Sequence, residues 1–471
     1  MGHAALRLAD FVSALRLADI PLEVVEAARR HLLDTFGVAI RGRTHPNAVN
    51  SLRAAESLDG ATGSIPVWGS DRTLSAGYAA LINGIAAHVL DFDDTHTDSI
   101  VHGSAIIAPV VMALGQQREA TGEDVVSAFV AGWEVAARVG LASRGSFHQR
   151  GYHTTSIAGV FGAAAAAARI LRLSSEHTAH AIGLAGSQAS GINEYLSNSS
   201  SAKSMHTGWS AHAGILAAVM AQAGMTGPMS VFEGRDGLLR THGYRDRADV
   251  AALDAELGGR WEVARVSIKP YPCCHFAHAF VDCVELLARK GVNASNMALF
   301  ECVVPEIEVA LICEPFADKL RPATPYAAKF SLPFLLASKI ADGAISHRTF
   351  EESNLSRPDL MELATRVKYR VAKPDETPFP KTFPGWVEAT LTDGRHFVER
   401  LDVNVGHPDN ALSMAQVAAK FRDNSVEALG EDSLDRVMAL VNALPNTSPA
   451  ELGRALSTGS PSIPQLKRKI S

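Results

Sequence analysis

A polar stretch between two apolar segments holds many of the residues that could do acid–base chemistry. Residues 88–104, HVLDFDDTHTDSIVHGS, combine carboxylates, imidazoles and hydroxyls: Asp91, Asp93, Asp94, Asp98, His88, His96, His102, Thr95, Thr97, Ser99 and Ser104. The flanking segments, SAGYAALINGIAA and AIIAPVVMALG, are apolar and predict buried helices. Such helices would fix the position of a functional loop between them. The alternative interpretation is an acidic, solvated helix connection.

Two details of this stretch shape its chemistry. A preceding helix that runs to about Phe92 would place His88 and Asp91 on one face. Metal binding is an alternative use, with the possible ligands Asp91, Asp93, Asp94, His96 and His102. Their spacing matches neither HExxH nor an EF-hand loop, so we predict no metal site.

A second polar patch is GYHTTSIAG, residues 151–159. Thr154 or Thr155 is a candidate cap for the alanine-rich helix that follows, which places Tyr152 and His153 at a helix N-terminus. Such an end attracts anions through its unbonded N–H groups and its dipole. The alternative is that His153 is only a capping-region histidine.

Two further patches follow. Lys203 and His206 lie three residues apart near the start of another small-residue helix. A lysine is unfavourable at a helix start, so this position predicts a carboxylate partner, unless the lysine is simply solvated.

In KPYPCCHFAHAF, Lys269, His275 and His278 lie where two domains are expected to meet, and the two histidines would share a helix face. A HxxH pair could ligate metal, but a hinge beside a cleft is the simpler use.

Composition excludes several classes of function. With 471 residues the chain is long enough for two domains, and 47% hydrophobic residues supply an ample core. The net charge is −6 and the only basic run is LKRKIS, which argues against nucleic acid as a partner. No apolar run reaches the ~18 to 20 residues of a membrane span. The five cysteines lie within residues 273–313 without CxxC spacing, which predicts no disulfide framework and a cytoplasmic location.

The pattern of elements predicts a mainly α fold. Residues 1 to about 260 show helical spacing, with helix starts at Thr121 and Ser174. From Trp261 onward, residues 261–272, 300–312 and 366–372 alternate as strands do, and residues 386–403 form a hairpin pattern around Asp393-Gly394. We therefore predict a large all-helical domain, residues 1–265 and 406–471, with a smaller, mostly antiparallel α+β lid domain, residues 266–405, inserted before the C-terminal helices. The tail TGSPSIPQLKRKIS is expected to fray.

Taken together, the patches supply histidines, a lysine, a tyrosine and carboxylates, without a Gly-rich nucleotide loop, a GxSxG motif or a catalytic-cysteine signature. This set suits an anionic, carboxylate-bearing small molecule and proton transfer at a carbon next to a carboxylate. A histidine can move the proton near neutral pH, and a lysine can hold the charge that develops.

Six ordered segments resemble the MmgE/PrpD family in order and spacing. They are DFDDTH followed by VHGSAIIAPVV, GYHTTSIAGVFGAAAAAARIL, SSAKSMHTGWSAHAG, VFEGRDGLL and KPYPCCHFAHAFVD. The resemblance covers nearly the whole chain. It implies a helical domain, an α+β lid, a homodimer, and chemistry on a small polycarboxylate substrate with no cofactor.

The resemblance also implies a set of site residues. The catalytic set would be His102 and His153 as acid/base groups, Lys203 as the carboxylate anchor, Asp91 to orient a histidine, and Tyr152. Of the substrate-binding candidates, the resemblance implies Thr95 and His278, and the polar patches described above add Lys269, His206 and His275.

Three departures from the family pattern bear on the substrate. Gly103 and Thr154 stand where relatives often have proline, and His275 stands where relatives have arginine. Loss of a fixed bidentate cation at His275 predicts altered carboxylate recognition. The first motif reads DDTH, whereas relatives that act on 2-methylcitrate have NDTW at the same place. This difference argues against 2-methylcitrate itself as the substrate.

The leading hypothesis is a cofactor-independent lyase that dehydrates or decarboxylates a di- or tricarboxylate. The alternatives are an epimerase of a dicarboxylate such as iminodisuccinate, a metal-dependent hydrolase that uses the Asp/His loop, and a non-catalytic polycarboxylate-binding protein. No nucleic acid or membrane partner is expected.

Overall fold

A computed structural model describes residues 2–59, 63–198, 200–379 and 382–457. The chain divides into two compact units, Met1–Ile268 with Ser413–Ser471, and Lys269–Leu412. The first is helical and the second is a small α+β unit, so the mainly α fold class is confirmed. The C-terminal segment predicted to fray, residues 458–471, lies outside the described residues.

The helical unit begins with a long series of helices and ends with three more. They are α1 (Ala4–Ala14), α2 (Leu22–Gly42), α3 (Pro46–Asp59), α4 (Ala76–His88), α5 (Ser104–Gln117), α6 (Gly122–Ser143), α7 (Ser146–Gln149), α8 (Thr154–Ile170), α9 (Ser175–Gly186), α10 (Tyr195–Asn198), α11 (Ala202–Gln222) and α12 (Leu238–Thr241), then α20 (Met414–Leu429), α21 (Glu431–Asn442) and α22 (Pro449–Ser457). Two short strands, β1 (Ile65–Pro66) and β2 (Thr73–Leu74), pair antiparallel.

Small side chains let the central helices of this unit pack closely. A Cβ on Gly162 of α8 would lie 2.6 Å from the Gly132 carbonyl oxygen of α6, and one on Gly214 of α11 would lie 2.3 Å from the Ala163 Cβ. Among the described residues α6 is the one helix long and apolar enough to cross a membrane, but 94% of its most apolar window is buried inside the protein. It is therefore built as a core helix.

The local signals for helix starts have mixed outcomes. Thr121 and Asp124 form a capping box at α6, and the Ser174 side chain caps α9, as predicted. The predicted cap of α8 by Thr154 or Thr155 is wrong. His153 itself is the N-cap residue, with extended backbone angles and no side-chain cap bond. Its backbone N–H donates to the Gly191 carbonyl.

The prediction that α4 runs to about Phe92 is also wrong. The helix ends at His88, and Asp91 turns the chain with a φ of +56°. His88 and Asp91 therefore do not share a helix face. A left-handed residue cannot continue a right-handed helix, so the helix ends here and residues 89–103 connect α4 to α5.

The α+β unit contains four strands and seven helices within its described residues. They are α13 (His278–Arg289), β3 (Met297–Val304), α14 (Glu306–Ile312), α15 (Phe316–Leu320), α16 (Pro325–Ala328), α17 (Leu332–Asp342), α18 (Glu352–Leu355), α19 (Pro358–Thr365), β4 (Val367–Val371), β5 (Gly385–Leu391) and β6 (His396–Leu401). The strand order is β4-β3-β5-β6, with β3–β4 parallel and the other two pairs antiparallel. The hairpin around Asp393-Gly394 is confirmed as β5–β6, with Gly394 at a φ of +87°.

Two strand predictions need correction. Residues 261–272 form a 3₁₀ turn, Glu262–Arg265, followed by one isolated bridge between Ser267 and Thr95. Residues 300–312 change from strand to helix at Pro305, which precedes the first residue of α14. Proline has no N–H to donate to a strand ladder but suits a helix start, so alternating side chains alone misassigned this segment.

Candidate active site

The polar stretch is held in a strained backbone conformation. Asp91 and Ile100 both have φ values near +57°, and Ile100 is β-branched, which makes this region unfavourable for it. The loop between them is fixed by hydrogen bonds of His96 with Val101 and of Thr95 with Ser267. Such strain persists only where the surrounding structure imposes it, and it is concentrated at functional sites.

Four histidines from separate elements meet beside this loop. We call His88, His102, His153 and His206 the four-histidine cluster. Ring centroids are 5.2 Å apart for His88 and His102, 5.6 Å for His88 and His153, and 5.2 Å for His153 and His206. His102 and His153, the two predicted acid/base groups, are 6.4 Å apart. Close packing brings α4, the loop, the start of α8 and α11 to one place.

The hydrogen bonds of His102 define its tautomer. Its Nδ1 lies 2.8 Å from the Asp94 carbonyl oxygen, which can only accept, so Nδ1–H is the donor. Thr95 Oγ1 lies 3.0 Å from the same nitrogen. In the neutral ring the lone pair is therefore on Nε2. The backbone N–H of His102 also donates to Thr155 Oγ1, which ties the loop to the first turn of α8.

His153 and His206 form a nitrogen-to-nitrogen contact. Their Nδ1 atoms are 3.0 Å apart, so one must donate and the other accept. Burial lowers the pKa of His153 well below its usual value, and electrostatic repulsion from the nearby His88 and Lys203 side chains lowers it further. Burial, with His88 and Lys203, lowers the pKa of His206 to about 4. Both rings are thus neutral at physiological pH.

Lys203 has the carboxylate partner that its position predicts. Its Nζ donates to Asp91 Oδ1 at 3.0 Å, and both side chains are largely buried. The Tyr195 ring lies 6.1 Å from His153 and 5.9 Å from His206, and burial raises its pKa. Tyr195 lies eight positions before Lys203 in the chain, and the sequence analysis did not single it out.

Two buried histidine–aspartate pairs support the loop. His88 Nδ1 lies 2.7 Å from Asp93 Oδ2, and His31 Nδ1 lies 2.8 Å from Asp94 Oδ2. Asp94 also accepts from Ser104 at the start of α5. His31 lies on α2, far from the polar stretch in sequence, so nothing local could have predicted this contact.

Tyr152, next to His153 in the chain, packs against a residue outside the four-histidine cluster. Its ring packs on His242 with centroids 4.8 Å apart. His242 lines a cavity of about 520 Å³ together with Ser187, Arg235 and Thr241. Part of this cavity wall is the VFEGRDGLL segment.

The remaining predicted residues belong to the α+β unit. His275 and His278 have ring centroids 4.9 Å apart, and His278 Nε2 donates to the Cys273 carbonyl. Lys269 is buried in the same unit. Burial raises the pKa of Asp282, which accepts from Tyr271, to about 6.

One departure from the family pattern has a structural explanation. A Cβ on Gly103 would lie 2.7–2.8 Å from the ring of Trp133, whose indole N–H donates to Ser104. The tryptophan thus requires glycine here, directly beside His102. In the described ranges no group of three or more His, Cys, Asp or Glu side chains is placed to hold a metal ion.

Comparisons with known proteins agree with this architecture. The MmgE/PrpD N-terminal domain matches residues 6–250, and the MmgE/PrpD C-terminal domain matches residues 271–445. The chain belongs to the MmgE/PrpD family. It is 28% identical to cis-aconitate decarboxylase of Mus musculus, over 98% of this chain and 95% of the mouse protein. It is 26% identical to that of Homo sapiens, over 97% and 95%, and 25% identical to that of Aspergillus terreus, over 93% and 92%.

Proposed function

We propose that the protein is a lyase that removes CO₂ or water from a small di- or tricarboxylate without an organic cofactor. The observation that carries this function is the four-histidine cluster beside the Lys203–Asp91 pair, buried next to a loop of strained backbone. Support comes from three relatives, named cis-aconitate decarboxylase, that align with 93–98% of the chain. cis-Aconitate is therefore the first substrate to test.

Lys203 is suited to bind a substrate carboxylate. An ammonium presents three N–H donors, so it can bind a second carboxylate while it stays bonded to Asp91. The buried position strengthens the attraction for an anion, because water screens it less. Thr95 and Tyr195, in the same unit, are further candidates for substrate contacts. For Lys269, His275 and His278 of the α+β unit, a role in substrate binding stays a prediction from the sequence.

His102 and His153 are suited to the proton transfers. In a decarboxylation the C–C bond to the departing CO₂ breaks, its electron pair stays on the substrate carbon, and an acid delivers a proton there. In a dehydration a base removes a proton from carbon, and an acid protonates the departing hydroxyl. A neutral imidazole can accept the proton at one step and return it at another. Lys203 would offset the negative charge that develops next to its carboxylate.

Epimerisation is the second candidate, since it needs acid/base groups on two sides of one carbon. His102 and His153 come from different elements and meet at 6.4 Å, which suits this use as well. An epimerase would exchange the proton on carbon without loss of CO₂ or water.

Proton NMR in deuterated water tests these functions together. The purified protein would be incubated with cis-aconitate, citrate, 2-methylcitrate and iminodisuccinate in turn. We expect loss of CO₂ or water from one of them. Deuterium wash-in without a change in formula would replace the lyase by an epimerase, and no reaction with any of the four would overturn the function as stated.

A homodimer in the cytoplasm is also proposed, from the family resemblance. One face of α11 exposes large apolar side chains that a second copy could cover: Met205, Trp209, Leu216 and Val219. Light scattering after size exclusion should give twice the chain mass, and Trp209→Glu should reduce it to one chain. A monomeric wild-type protein would contradict this assembly.

A further inference from the structure

His88 is a buried histidine in the cluster to which sequence reasoning gave no role. It is the last residue of α4, and its side chain has no exposed area. Its Nδ1 contacts Asp93 Oδ2 at 2.7 Å, and Asp93 is equally buried. Its Nε2 is buried without a hydrogen-bond partner among the described residues. A polar ring in such a place is costly unless its pairing with the carboxylate offsets the cost.

Asp93 lies between two imidazoles. The carboxylate oxygen that contacts His88 is also 3.9 Å from Nδ1 of His102. A buried carboxylate is costly as an anion unless a hydrogen-bond donor or a cation offsets that cost, and at 2.7 Å His88 can do so as an imidazolium. In that state each member acts on its neighbours with opposite sign.

The ring of His88 lies directly against the other histidines. It stacks on His153 with an interplanar angle of 29°, and its centroid is 5.2 Å from His102. The charge of His88 is one reason, after burial, why the pKa values of both His153 and His206 are lowered. At such short distances and inside the protein, one charge shifts a neighbour's titration by about one pH unit.

We propose that His88, charged and held by Asp93, is a positioning residue that keeps His153 and His206 neutral, while Asp93 favours a proton on His102. The pair would thus assign opposite roles to two similar rings, a proton acceptor at His153 and a proton donor at His102. This deepens the proposed function and rests on it for the roles of His102 and His153. The charge relations themselves can be measured without a substrate.

Other charged groups around the pair must be held constant in any test. Lys203 and Asp91 face the cluster from α11 and the turn after α4. Behind the loop, Asp94 pairs with His31 of α2, and Asp34 of α2 pairs with Lys420 of α20 at 2.6 Å. Burial raises the pKa of Asp34 to about 6, and the positive charge of Lys420 keeps that pKa from rising further.

The test is a histidine titration of the full-length protein by NMR, with ¹³C at Cε1 of every histidine. In His88→Asn the amide can still donate to Asp93 but carries no charge. We expect the midpoints of His102, His153 and His206 to rise by about one pH unit. In Asp93→Asn the carboxylate that lies 3.9 Å from His102 Nδ1 loses its charge. The titration midpoint of His102 should therefore fall. The titration midpoint of His102 should thus move in opposite directions in the two variants. If His88 and Asp93 only stabilised the fold, no such opposite shifts would follow.

The matched control is His31→Asn, which alters the other buried histidine–aspartate pair. It should leave the midpoint of His153 within about 0.2 pH units. An equal shift in His31→Asn and His88→Asn would overturn the role of His88, as would no shift in His88→Asn. If the variants fail to fold, the ring nitrogens of wild-type protein at pH 6 decide: we expect His88 doubly protonated and His153 neutral, and the reverse overturns the assignment.

A kinetic readout separates this inference from the proposed function. With any substrate that is turned over, the acidic limb of the kcat profile should move to higher pH in His88→Asn. If no polycarboxylate reacts, the function fails but the titration still tests the pair. If a substrate reacts and the midpoints do not move, only the role of His88 fails.

Discussion

Two buried polar regions of the helical unit use the same kinds of side chain and differ in how their charges are balanced. One is the four-histidine cluster with Lys203 and Asp91. The other, which we call the ion network, consists of His96, Glu134, Arg138 and Glu262. His96 of the network and His102 of the cluster are only six positions apart in the chain.

The ion network pairs nearly every charge with an opposite one. Arg138 contacts Glu134 at 3.1 Å and Glu262 at 3.2 Å, and His96 contacts Glu262 at 3.1 Å. Burial works against ionisation of Glu262, but the hydrogen bond from His96 and the charges of His96 and Arg138 hold its pKa at about 2. Glu134, which is more deeply buried, has its pKa raised to about 8 by that burial.

In the cluster, by contrast, like groups are crowded together. His153 and His206 contact one another, and the neighbouring cations His88 and Lys203 disfavour a proton on either. Displaced pKa values occur in both regions, because ion networks also perturb titration. The cluster differs in that it crowds groups of like charge, whereas the network places opposite charges side by side. We therefore expect proton transfer at the cluster and structural support from the network.

The largest expected effect comes from removing a ring of the cluster. His102→Ala and His153→Ala should each lower kcat by about 10²- to 10⁴-fold, because each removes a general acid or base. The measurement is turnover of the substrate found by NMR, with circular dichroism to show that the helices remain.

His396→Ala, a half-exposed histidine of β6, is the matched control and should keep normal turnover. If either cluster variant retains near-normal kcat/KM, the acid/base role of that histidine is wrong.

Breaking the ion network should affect stability instead. Arg138→Met leaves two buried carboxylates without their shared cation, which should cost about 3–5 kcal/mol of unfolding free energy. Urea denaturation measures this loss. At temperatures where the variant stays folded we expect a near-normal kcat, and a kcat loss as large as that of His102→Ala would erase the distinction between the two regions.

Local sequence rules predicted the elements whose causes are local. The Thr121 capping box and the Asp393-Gly394 hairpin were correct because three or four neighbouring residues determine them. Residues 300–312 were assigned to one strand because their polar and apolar side chains alternate, although Pro305 in their middle ends the strand and begins a helix. The end of α4 was missed because the left-handed turn at Asp91 depends on contacts with distant helices.

The sequence predicted which types of residue form the site, but it predicted much less well which of their side chains contact each other. The position of Lys203 at a helix start predicted a carboxylate partner, but nothing in the sequence selects Asp91, 112 residues away. The contact of His153 with His206 spans 53 residues and depends on how α8 packs against α11. Thr95 and His102, which lie in one loop, were grouped correctly, and their contact at 3.0 Å reflects that proximity.

Lys203 tests whether the cluster binds an anion. Lys203→Ala should raise KM and lower kcat, with kcat/KM reduced by roughly 10- to 100-fold, because the buried cation contributes to both binding and charge stabilisation. Steady-state kinetics with the same substrate measures it.

Lys420→Ala provides a stringent control, since it removes a second buried lysine from an aspartate pair in the same unit. It should lower stability while KM stays normal. A normal KM and kcat in Lys203→Ala would remove Lys203 from the site.

Glu308 extends the comparison to the α+β unit, as a buried carboxyl with no hydrogen-bond partner among the described residues. Burial alone raises its pKa to about 9, from an ordinary value of 4.5. Between those values the folded state holds a proton that the unfolded state has lost, so stability should fall as pH rises, by up to about 1.4 kcal/mol per pH unit. Glu308→Gln should remove this slope in urea denaturation at pH 5, 7 and 8.5. Glu306→Gln, an exposed change on the same helix, should keep it. An unchanged slope in Glu308→Gln would mean that Glu308 is already ionised at neutral pH.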